Sequence, residues 1–303
     1  MRAITILSVL TILLSQGCQS ITRIPLDPTD SLGIAKELTD SEDYYGALET
    51  LEYFGPDPLS VEDRAYWHLL GGTALLRAGE PWEAFALIRG FLDEGRFLLR
   101  TAELANLTYE IGEQLATSDG SFWVFQSDRT EGATVLKVFV SLYPRHKNMP
   151  DALHRLGEIA FEDGNYEVAR ERYTQIITDG YDTFWSPKAA FRVAMCYFHR
   201  LEGPEYDLAE MEKAQVELTD FLSSTVDDLG FRREADSALR TVKSWLAQKY
   251  VSIAEFYFEV DNDRGGIENL RRAWQGYPET NAGAEAGQRL VEMGQDRSGG
   301  VDR

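Results

Sequence analysis

Reactive side chains are few in this sequence. The four histidines are His68, His146, His154 and His199. None falls in an HExxH pattern or in the Cys/His spacing of a zinc site. His154 and Glu158 stand one helical turn apart, which sets an imidazole and a carboxylate on one helix face, within reach of proton transfer or ligand binding. Such pairs are equally common on ordinary helix surfaces. Two cysteines are present, Cys18 and Cys196. Cys196 lies among Val193, Ala194 and Tyr197 and reads as a small core residue. The chain has no GxSxG elbow, no GxxxxGK[ST] loop and no GxGxxG turn after a strand. The acidic pairs Glu162-Asp163 and Asp227-Asp228 fall at helix ends and read as solvated charge. The sequence predicts no cofactor, no metal site and no catalytic constellation. An enzyme built around the apolar stretch Phe122–Phe125 would have to work without a visible reactive group.

The elements that hold these residues are helical throughout. In the segment LHRLGEIAFEDGNYEVARERY, Leu153 to Tyr173, small and large residues alternate as two antiparallel helices require. Gly157 and Ala169 let the helices approach. Leu156, Ala160, Tyr166 and Tyr173 fill the space toward the next hairpin. Gly164 and Asn165 end the first helix, since both tolerate positive φ. This segment resembles a tetratricopeptide repeat, in which each hairpin stacks on its neighbour and the first helices line a groove.

A second unit repeats the pattern at Ala189-Ala190-Phe191, Val193-Ala194 and Tyr197. It continues through Tyr206, Ala209, Ala214, Leu218 and Phe221, after a turn lengthened by Leu201–Pro204. A third joins one long helix from Phe231 to Glu259 to Ile267, Leu270 and Trp274. Further forward, Trp67, Leu70-Gly71, Ala74, Gly79, Trp82, Ala84 and Ile88 make a hairpin, and Ala47 to Phe54 reads as the second helix of another. Leu104 to Leu115 and Ala133 to Leu142 are expected to pair across a loop from Thr117 to Thr130. The apolar residues Phe122–Phe125 within it should tuck against the repeats. No stretch alternates with the period of a strand. The expected fold is an all-α, tetratricopeptide-like solenoid of about five hairpins, with a right-handed superhelix.

In the repeat pattern the groove is lined by fixed positions of each first helix. Here they are Asp151, His154, Glu158, Phe161 and Glu162, then Lys188, Phe191, Met195, Phe198 and His199. Of these, His154, Glu158, Phe161, Lys188, Phe191, Met195 and Phe198 are the candidate partner-binding residues. The alternative for Phe191 and Phe198 is that they simply fill the core.

The formal net charge is −20. Phosphate binding runs on Lys and Arg, so nucleic acid is not an expected partner. Anionic lipid heads would repel such a chain, which makes a covalent anchor the better route to a membrane. Much of the charge solvates outer helix faces. Arg2 followed by the apolar run Ile4–Leu14 has the physics of a secretion signal, and the run is too short to span a bilayer. Ser15-Gln16-Gly17-Cys18 resembles a bacterial lipoprotein cleavage box, although Leu14 stands one place earlier than is usual. That resemblance implies a signal peptide over residues 1–17 and a diacylglycerol thioether on Cys18. The alternative is plain secretion with an unmodified Cys18. Residues 18–40 contain Pro25 and Pro28 with little apolar periodicity and read as a lipidated tether. Residues 296–303 read as a disordered tail.

From about residue 130 the chain resembles the tetratricopeptide lipoprotein subunit of the outer-membrane β-barrel assembly machine. The resemblance rests on residues 245–280, WLAQKYVSIAEFYFEVDNDRGGIENLRRAWQGYPET. Ala254-Glu255-Phe256-Tyr257 and Tyr277-Pro278-Glu279-Thr280 keep the family's spacing, and Leu142-Tyr143-Pro144 closes an earlier repeat in a comparable way. Gly265-Gly266 departs from the family's Ala-rich helix start. The resemblance implies a repeat domain over residues 131–295, with divergent repeats over 41–130 in front of it. It also implies attachment to the outer membrane on its periplasmic face. The implied partners are a β-barrel assembly protein or unfolded outer-membrane proteins. A second possibility is an adaptor in peptidoglycan synthesis or secretion, because a repeat pattern sets shape and not partner.

Overall fold

The computed structural model describes residues 26–93, 100–117, 126–180 and 184–295. The expected signal peptide over 1–17, Cys18, the stretch Phe122–Phe125 and the expected tail over 296–303 lie outside the described residues. The described residues hold helices and no strand. The chain divides into two compact units between Ser118 and Asp119. This is some twelve residues earlier than the expected boundary at 130/131.

The first unit contains α1 (Pro28–Asp40), α2 (Tyr44–Glu52), α3 (Val61–Arg77), α4 (Pro81–Asp93) and α5 (Thr101–Thr117). The expected tether is corrected here, because α1 occupies its second half. Asp27 caps the helix by accepting from Asp30 N, and Pro28 opens it with a preset φ. Leu32 and Ala35, one turn apart, then bury against Ala47, Leu51, Trp67 and Leu70. Ile34 is buried as well, and these three apolar residues sufficed once α2 and α3 supplied a surface. Trp67 Nε1 donates to the Leu51 carbonyl oxygen at 3.0 Å, which ties α3 to the end of α2. Gly72 lets α3 approach Ile88 of α4 and Leu107 of α5.

The second unit contains α6 (Gln126–Leu142), α7 (Met149–Glu162), α8 (Tyr166–Thr178), α9 (Ser186–His199) and α10 (Leu208–Ser223). It ends with α11 (Leu229–Glu259), α12 (Asp263–Gly276) and α13 (Asn281–Glu292). The expected loop over Thr117–Thr130 is shortened by α6, which begins at Gln126. The expected pairing of Leu104–Leu115 with Ala133–Leu142 spans the two units. The division puts α5 with α3 and α4, whereas α6 packs on α7. The reason is visible on α6, where Val135, Leu136 and Phe139 are fully buried and Arg129 donates to the Ile159 carbonyl near the end of α7.

The hairpin of α7 and α8 forms as its sequence requires. Gly164 turns at φ +74°, and Asn165 N donates back to the Ala160 carbonyl at 2.8 Å. A β-carbon on Gly157 would sit 2.7 Å from the Tyr173 ring. Next come the hairpin of α9 and α10 and that of α11 and α12. The long α11 packs against α9 and α10 as well as against α12 and α13. Gly266 receives the Phe258 ring, and Gly287 receives Trp274. The closing helix α13 is capped by Thr280, which accepts from Gly283 N.

Candidate functional site

The candidate residues come from the first helices of successive hairpins, α7 and α9. Side chains stitch these two helices together. Arg192 donates from Nε to Glu158 Oε1 and from Nη2 to Glu158 Oε2, both at 2.9 Å. The Tyr173 hydroxyl donates to Glu158 Oε1 at 2.7 Å. Lys188 Nζ lies 4.0 Å from Glu158 Oε2. Trp185, at the start of α9, donates its indole N–H to Asp151 Oδ1 at 2.8 Å. Its ring stacks on His154 with centroids 3.9 Å apart. Phe161 lies under the Arg192 guanidinium, 4.5 Å from its carbon, and edge-on to His199 at 5.1 Å.

Expected and observed placements can be compared one by one. His154 and Glu158 do meet, with Nε2 and Oε1 3.5 Å apart. The imidazole is 5% exposed, beneath Trp185 and beside Tyr173, so it is not open to a partner. Phe191 and Met195, expected on the groove, are corrected to core residues at 3% and 2% exposure. The cause is α11, whose first half covers α9 and sets Phe231 parallel to Phe191 at 4.6 Å. Phe198 is half-buried and stacks on Trp245 at 5.9 Å. Phe161 and Lys188 are also half-buried, while Glu162 and His199 remain exposed. The sequence reading did not single out Arg192 or Trp185. Arg192 stands four residues after Lys188 on a helix with no acidic residue, so its counter-ion had to come from another element.

The electrostatics are those of a closed structural network. Burial disfavours the charged form of Glu158, but the bonds from Tyr173 and Arg192 outweigh it and hold the carboxyl below its ordinary range. Burial, with Lys188 next in effect, lowers His154 to about 4, so the ring is neutral at pH 7. Burial pushes the Tyr173 hydroxyl well above its ordinary value, and the Glu158 bond adds to it. The Cys196 thiol is buried and pushed up to about 12, which suits a packing residue. Among the described residues no group of three or more His, Cys, Asp or Glu side chains is placed to hold a metal ion. No described helix is long and apolar enough to cross a membrane. No family model and no curated protein matches the chain.

Proposed function

We propose that this chain is a lipid-anchored scaffold of the bacterial envelope that binds protein partners along the first helices of its second unit. The observation that carries the reading is the side-by-side setting of α7, α9 and α11. The bond from Arg192 to Glu158 joins the first two, and the stack of Phe198 on Trp245 joins the last two. Helices set in this way leave a row of half-covered aromatic and charged side chains, Phe161, Lys188, Phe198 and Trp245, with His199 exposed beside them. Such mixtures suit helix ends and extended segments of proteins.

The anchor is Cys18, and the process is assembly of outer-membrane β-barrel proteins from the periplasmic face. Both follow from the cleavage-box residues and from the segment Trp245–Thr280. The alternative process is another envelope task, such as peptidoglycan synthesis or secretion, served by the same scaffold.

Two experiments test these parts separately. Photo-crosslinking residues placed in cells at Glu162 and His199 should capture a discrete partner, and one at Val216 on α10 should not. Val216 is 55% exposed and serves as a surface control. Equal capture from all three sites would reject the first-helix face. A β-barrel assembly protein among the captured partners supports that process, and a cell-wall synthase supports the alternative. Cys18→Ser should move the protein from the membrane to the soluble fraction, and unchanged membrane association would reject the anchor.

A further inference from the structure

We infer that the seam between α7 and α9 is an acid-released catch, in which a proton taken up by His154 detaches Trp185 from α7. The ring is enclosed by Trp185 on its face and by Tyr173 at 6.0 Å. Its Nε2 is buried without a hydrogen-bond partner. The nearest acceptor, Glu158 Oε1, already takes the Tyr173 hydroxyl and the Arg192 Nε–H. Asp151, one turn earlier, is engaged by the Trp185 indole.

The charges that act on the ring make it a poor place for a cation. Glu158 favours protonation, while Lys188, Arg155 and Arg192 oppose it. From α8 the titratable group beside the ring is Tyr173, whose ring stands edge-on to it and whose hydroxyl is taken up by Glu158. From α6 Arg129 reaches α7, and its ion pairs go to Glu162 and Asp163 at the far end of that helix. A protonated ring therefore gains one carboxylate, shared with Arg192, and sits against three cations in a dry site.

Water is the simplest remedy, and Trp185 is what excludes it. Trp185 stands on the short segment before α9, next to Phe184, which is 84% exposed. Swinging Trp185 away gives up its hydrogen bond to Asp151, its stack on His154 and the Lys188 ammonium over its ring at 5.5 Å, and it hydrates the imidazolium. It leaves the bond between Glu158 and Arg192 in place, because the Tyr173 hydroxyl and that same bond hold the carboxyl below its ordinary range. An open site returns His154 toward its ordinary value of 6.5, so release falls between that value and about 4. The catch concerns the seam itself and is independent of which partner the scaffold binds.

The test follows two resonances in one sample of the intact protein from pH 7.5 to 4. They are the indole N–H of Trp185, assigned with Trp185→Phe, and the ring proton of His154. The expected result is a shared midpoint below 6.5, with helicity by circular dichroism retained. In His154→Phe, which keeps a ring under Trp185 but cannot take a proton, the indole resonance should hold still. An indole that stays fixed while His154 titrates would overturn the catch, as would the same movement in His154→Phe. Should that variant fail to fold, the co-titration in the unaltered protein decides alone.

Discussion

The second unit joins its first helices in two different ways at equivalent positions. Between α7 and α9 the contact is polar: His154, Glu158 and Phe161 meet Trp185, Lys188 and Arg192. Between α9 and α11 it is apolar: Phe191, Met195 and Phe198 meet Phe231, Trp245 and the core of α10. The repeat register assigns both sets the same places along their helices. One set forms a network that answers to pH, and the other is ordinary core. A repeat position therefore fixes the direction in which a side chain points, but not whether a later helix covers it.

Substitutions can break each seam in turn. Phe191→Ala should have the largest effect, a loss of about 3–5 kcal/mol read by urea unfolding, because a cavity replaces a fully packed ring. Glu158→Ala should cost about 3 kcal/mol, by leaving Arg192 and the Tyr173 hydroxyl without their acceptor. Adding Arg192→Met should recover part of that loss, whereas no partner change of similar kind should rescue Phe191→Ala. Equal losses with no rescue would erase the distinction between the seams.

The polar seam should also be the one that feels pH. His154 is lowered when folded, so above its ordinary 6.5 it is neutral in both states and the comparison is flat. As pH falls from 6.5 toward about 4, the unfolded chain binds a proton that the folded chain resists, and stability falls. The total is about 2–3 kcal/mol. Glu158 is also lowered, so its contribution stays intact until pH drops below its ordinary 4.5. His146 and His199 are lowered in the same direction by burial, so the His154 share is the difference between wild type and His154→Phe. An identical pH dependence in that variant would remove His154 from the account.

Smaller effects sharpen the same contrast. Gly157→Ala should cost about 1–2 kcal/mol in melting experiments, because the added carbon meets the Tyr173 ring that anchors the polar seam. Arg240→Ala, which breaks an exposed pair with Asp236 at 2.8 Å, should change stability by less than about 0.5 kcal/mol.

Much of the architecture was legible beforehand. Gly157, Gly164, Ala169 and Tyr173 specify a hairpin by local sterics, and the structure places each of them in that role. The long helix from Phe231 to Glu259 followed from its apolar spacing. Helix α1 was hidden because Leu32, Ile34 and Ala35 give a weak pattern, and the stability of the helix comes from α2 and α3. The candidate site was half legible. The meeting of His154 with Glu158 is a property of one helix, whereas Arg192 and Trp185 reach them from a hairpin about thirty residues away.

By itself the sequence determined an all-helical chain of hairpins, since helix period, small contact residues and turn glycines act over a few residues. Only the tertiary structure decided which first-helix side chains stay accessible. That depends on what the next hairpin lays over them: Trp185 over His154, and α11 over Phe191 and Met195. Burial is set by neighbours distant in the chain, and a local pattern carries no record of them.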